Sequence, residues 1–70
     1  MQEDAERLRQ HLKKMRLSFN RCARLLNLDT GSVWRYASGR RRPSREVRKR
    51  MKRKLGFEWK GGLERGNLQT

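Results

Sequence analysis

The chain has a single cysteine, a single histidine and a single proline in 70 residues. Cys22 alone cannot form an intrachain disulfide, and Cys22 with His11 cannot fill a four-ligand zinc site. Neither has a third orienting group or a pocket to support nucleophilic catalysis, so no enzyme, cofactor or metal centre is expected. No apolar run exceeds two residues, which leaves nothing able to span a membrane and no visible signal peptide. The remaining scarcity is acid: seven Asp and Glu stand against twenty Lys and Arg, a net charge of +13 with a sequence pI near 11.6. At this size a chain buries only about 60% of its unfolded surface. Regular helices or a partner subunit are therefore expected to supply the rest of the stability.

A charge this basic points to a polyanion, because neutralising phosphates releases condensed counterions. Its distribution is uneven. Three of the seven acids (Glu3, Asp4, Glu6) lie in the first six residues, whereas the span from Arg40 to Lys54 carries ten basic residues and only Glu46 as an acid. The ordinary reading of such a run is a solvated helix face; its density here favours contact with phosphate.

Periodicity predicts four helices. Ala5, Leu8, Leu12 and Met15 form one stripe, with acids at its start and Lys13, Lys14 and Arg16 at its end, as the helix dipole prefers. His11 lies on this face as a packed or rim histidine. Ser18 is an N-cap for a second helix carrying Phe19, Cys22, Ala23 and Leu26. Cys22 there reads as an inert, buried thiol. Asp29 caps a short third helix that turns Val33, Tyr36 and Ala37 inward and Thr30, Gly31, Trp34 and Arg35 outward, with Gly39 closing it. Pro43 and Ser44 begin a fourth, with the narrow stripe Val47, Met51, Leu55 and the stop Gly56. Residues 1–56 thus read as one all-α helix-turn-helix domain, and 57–70 as a tail. Phe57-Glu58-Trp59 alternates, Gly61-Gly62 signals a hairpin turn, and Leu63-Glu64-Arg65 suits a return strand. Either this tail pairs, as a dimerisation element, or it is flexible.

Two short helices, Ser18–Leu26 and Thr30–Ser38, separated by a three-residue turn have the layout of a helix-turn-helix. Ala23 is the small residue where they touch, Leu28 the apolar plug in the turn, and Val33 the branched anchor of the second helix. The stretch from Leu17 to Ser44 resembles the Cro-type, lambda-repressor-like helix-turn-helix family. The matches fall at Leu17, Ser18, Ala23, Leu26, Leu28, Val33, Tyr36, Gly39, Arg40, Arg42, Pro43 and Ser44. Three positions depart from the family pattern: Phe19 replaces a phosphate-touching Gln, Asn27 replaces the turn glycine, and Cys22 replaces a Leu. The resemblance implies a compact domain of four or five helices that binds DNA, usually as a dimer.

The outer face of the third helix assigns base reading to Thr30, Gly31, Ser32, Trp34 and Arg35. Trp34 is expected to point outward to thymine methyls or a sugar edge, the alternative being that it folds back beside the fourth helix. Arg35 reaches either a guanine or another phosphate. Contacts to the DNA backbone are assigned to Ser18, Asn20, Arg21, Ser38, Arg40, Arg41, Arg42 and Arg45, with Arg40–Arg42 following the family's backbone-contacting loop. The expectation is a small, sequence-specific DNA-binding transcription regulator. It would be a homodimeric repressor of the phage or mobile-element kind that occludes a promoter, cytoplasmic and nucleoid-associated, with no membrane or small-molecule partner. Two rivals stand beside it. One is a basic RNA-binding or ribosome-associated protein on the same frame, with Trp34 stacked on an unpaired base. The other is an antitoxin-like interaction module acting through its tail.

Overall fold

The computed structural model describes residues 2–60. It is all-α: four helices and, among the described residues, no strand. α1 spans Gln2–Lys14, α2 Phe19–Leu26, α3 Thr30–Ala37 and α4 Arg45–Arg50; α4 then widens into a π-helical turn, Met51–Leu55. Three caps set the starts. Ser18 Oγ accepts from the Arg21 N–H at 3.1 Å, and Ser44 Oγ accepts from the Val47 N–H at 3.3 Å. Each satisfies one of the donors a helix N-terminus leaves open. Asp29 occupies the N-cap of α3 with extended backbone, but its carboxylate takes the Ser32 hydroxyl at 2.6 Å instead of a backbone N–H.

Every helix ends in a left-handed residue: Arg16, Asn27, Gly39 and Gly56 have φ between 56° and 78°. After α1, α2 and α3 the chain closes in the same double hydrogen bond. Leu17 N–H donates to Leu12 O, Leu28 N–H to Ala23 O and Arg40 N–H to Arg35 O, each paired with a shorter loop one residue inside. This arrangement satisfies carbonyls that a helix C-terminus leaves open. Asn27 adopts the left-handed conformation that its side chain tolerates. Arg16 does so without that advantage. Because α1 stops at Lys14, Met15 leaves the apolar stripe and is 43% exposed, contrary to its expected place in the core.

The core joins Ala5, Leu8 and Leu12 of α1, Cys22, Ala23 and Leu26 of α2, Val33, Tyr36 and Ala37 of α3, and Val47, Met51 and Leu55 of α4 and its extension. Leu17, Phe19 and Leu28 pack against it. The boundary drawn at Gly56 cuts through this unit. Phe57 is 3% exposed and Trp59 2%, so packing continues past Gly56 and the first tail residues are core. The alternation at 57–59 places Phe57 and Trp59 in the core and Glu58 at the surface, and no strand is formed among the described residues there. Gly61-Gly62 and Leu63–Arg65 lie outside the described residues.

Polar groups on one flank of α1 hold this segment. Asp4, nearly buried, accepts from the Lys60 N–H at 3.2 Å and from Arg7 at 2.8 Å. Arg7 also donates to Glu58 O, and its guanidinium lies over the Phe57 ring at 4.9 Å. His11 Nε2 donates to Leu55 O at 2.8 Å, with its ring tilted 51° to Phe57. Asp4 is therefore an anchor between α1 and the segment that follows Gly56 as well as a favourable charge at a helix start.

Candidate nucleic-acid interface

α3 exposes one face. Val33, Tyr36 and Ala37 are buried, whereas Thr30, Gly31, Trp34 and Arg35 are exposed. Trp34 is 47% exposed, so it points outward and does not fold back beside α4. It is not alone there: the Arg40 guanidinium lies over its ring, 5.1 Å from the centroid. Such stacking is worth about 0.5–1 kcal/mol at an exposed site. It is made possible by the turn at Gly39, which brings Arg40 N–H back to Arg35 O at 2.9 Å. An aromatic plate backed by a cation thus projects from the last turns of α3.

The first turn of α3 is tied to α2. Thr30 Oγ1 donates to Asn20 Oδ1 at 2.6 Å, so one predicted base reader and one predicted backbone contact form a single unit. The bond occupies the Thr30 proton and leaves the Asn20 amide donors for another partner. Ser32 is half-buried with its hydroxyl committed to Asp29. It belongs to the cap of α3 more than to its outer surface. That hydrogen bond, with the positive charge of Arg35 adding to it, holds the Asp29 carboxyl below the usual carboxylate range. α3 therefore begins with a fixed negative charge at its dipole-positive end.

The residues predicted for the phosphate backbone divide into two groups. Arg21, Arg40, Arg41, Arg42 and Arg45 are exposed. Ser18 and Ser38 serve the chain itself: Ser18 caps α2, and Ser38 Oγ donates to Arg35 O at 3.3 Å in the C-terminal turn of α3. One arginine was missed. Arg9 on α1 donates to Ala37 O, the final carbonyl of α3. With Phe19, Trp34, Ala37 and Ser38 it lines a hollow of about 80 Å³ at the end of the exposed face. Nothing in the sequence marks it, because its partner lies 28 residues away.

Cys22 is fully buried, and burial pushes its thiol up to about 11, so it stays protonated at neutral pH. Among the described residues no group of three or more His, Cys, Asp or Glu is placed to hold a metal ion, and no helix is long and apolar enough to cross a membrane. No protein-family model, curated protein or solved structure matches the chain.

Proposed function

We propose that the chain is a sequence-specific double-stranded-DNA-binding transcription regulator of the lambda-repressor-like helix-turn-helix type. It would act in the cytoplasm as a homodimeric repressor by occluding a promoter. The observation that carries this reading is the outer face of α3, where Trp34 and Arg35 project beside the exposed arginines of the following loop. A short helix that exposes an indole plate, a long guanidinium donor, a threonine and a glycine suits close approach to base edges in a major groove. Arg40, Arg41 and Arg42 next to it suit the phosphates flanking that groove.

Selection of bound sequences from random duplex DNA tests the proposal directly. A defined consensus is the expected result, and Arg35→Ala should cost about 1–3 kcal/mol and relax preference at one guanine. Arg42→Ala should weaken all sequences alike. If a dimer neutralises about 6–10 phosphates, log K against log salt should slope at about −5 to −9. The stacked Trp34–Arg40 pair also suits an unpaired base, which favours RNA as the second reading. Competition between duplex DNA and structured RNA at matched salt separates the two, and preference for RNA would overturn the DNA reading.

A further inference from the structure

The two kinds of basic residue are segregated. No lysine occurs between Met15 and Arg48, so α2, α3 and the loop that follows carry arginine only. The six lysines are Lys13, Lys14, Lys49, Lys52, Lys54 and Lys60. The fold brings five of them to neighbouring grooves away from α3, with Lys13, four residues from Arg9, at the border. Arg7 and Arg9 stand two residues apart on α1, hence about 200° apart around it. Arg9 reaches the end of α3, and Arg7 reaches Glu58. The extended segment 56–60 thus lies on the flank of α1 turned away from α3.

Two grooves run along that segment. One, of about 690 Å³, is bordered by α1 and includes Lys13, Lys14 and Lys60. The other, of about 190 Å³, is bordered by α4 and includes Lys49 and Lys52 with the wall of Trp59. Among the described residues, Glu58 is the only acid lining either groove. All five lysines are exposed, and among the described residues neither ion pair involves a lysine. Among the described residues the exposed large apolar side chains are Met15, Leu25 and Trp34, and none lines these grooves.

We infer that this lysine face is a second, sequence-independent phosphate surface, which lets the protein hold one duplex on α3 and a second duplex behind it. Lysine supplies compact, adaptable point charges, whereas arginine supplies the planar fork used in directional recognition. Ammonium groups that make no ion pair among the described residues repel one another, and a polyanion relieves that repulsion. A protein partner would need an apolar anchor at the centre of its interface, and a membrane surface would need an apolar face to insert. Phe57 and Trp59 line the grooves but are only 3% and 2% exposed, so neither can anchor or insert, which favours an extended phosphate lattice. Arg45 borders both surfaces, and Lys13 also lines a hollow with Arg9, Ser18 and Phe19; Lys14, Lys49, Lys52 and Lys60 border only this one.

A capture assay tests this. Full-length protein is loaded onto an immobilised random-sequence duplex and offered a second, labelled duplex. The wild-type chain should retain the second duplex. The variant Lys14→Gln/Lys49→Gln/Lys52→Gln/Lys60→Gln should retain at least tenfold less, with unchanged helicity and less than threefold loss of affinity for the selected sequence. Arginine at the same four positions should restore capture. Absence of capture by the wild type, equal capture by the glutamine variant, parallel loss of capture and of selected-sequence affinity, or retention of structured RNA in place of the duplex would each overturn the inference. Should selection yield no preferred sequence, reading by α3 fails, while capture between random duplexes still decides this proposal.

Discussion

A methyl group on Gly31 would lie 3.4 Å from Asp29 Oδ2 and 3.9 Å from Arg35 Nη1, ordinary van der Waals distances. Packing therefore does not require glycine there, although glycine costs up to about 1 kcal/mol within a helix relative to alanine. Gly31→Ala should raise stability by about 0.5–1 kcal/mol in a denaturant titration. The same change should weaken binding to the selected duplex, since the added methyl group stands between α3 and the base edges. A variant that gains stability and keeps full affinity would show that α3 does not approach DNA closely. Two residues earlier, Asp29 links the cap to pH. Its carboxyl lies below the ordinary value because it accepts the Ser32 hydroxyl. A depressed folded value means that its contribution is complete above the unfolded pKa of about 3.9. That contribution is lost as pH falls through the lower, folded value. A carboxyl NMR titration should place the midpoint below that of a free Asp, and Ser32→Ala should move it back up.

At the scale of the helices, the starts and stops follow from residue types that capping demands. Ser18, Ser44, Gly39 and Gly56 were visible as signals because few residues supply a hydroxyl acceptor or a positive φ. Arg16 was not, since arginine advertises no left-handed preference; the end of α1 is fixed by the Leu17 and Arg16 hydrogen bonds back to Leu12 and Lys13. Two stability changes follow. Ser44→Ala should cost about 1 kcal/mol in thermal unfolding by removing the acceptor for Val47 N–H, without altering sequence preference. Arg16→Gly should stabilise by about 1 kcal/mol or less, because glycine adopts the left-handed conformation without the Cβ clash.

For the whole molecule, the arginines divide into those that clamp the fold and those that face outward. Arg7, Arg9, Arg48 and Arg50 each donate to a backbone carbonyl outside their own helix, at Glu58, Ala37, Pro43 and Leu26. Part of the positive charge thus holds elements together, a role that composition cannot separate from phosphate binding. The end of the domain matters equally. Loss of a buried large aromatic costs about 3–5 kcal/mol, and small domains hold only about 5–15 kcal/mol in all. Truncation after Gly56 removes both Phe57 and Trp59 and should abolish the cooperative thermal transition seen by circular dichroism, whereas a chain ending at Lys60 should keep it. Equal melting of the two would show that these aromatics contribute little to the core.

The sequence by itself determined the four helices, the inward stripes apart from Met15, and the outward direction of Trp34. These depend on local spacing, since a helix places residues three and four apart on one face whatever surrounds it. It also determined the excess of basic charge. Only the tertiary structure decided that Phe57 and Trp59 complete the core, that Asp4 anchors Lys60, and that Arg9 closes the end of α3. It likewise decided that lysines from α1, α4 and the chain beyond Gly56 line neighbouring grooves. Those contacts join residues up to 56 positions apart. Neither periodicity nor residue type carries information across such a separation, because the packing of the helices alone brings the two ends of the domain together.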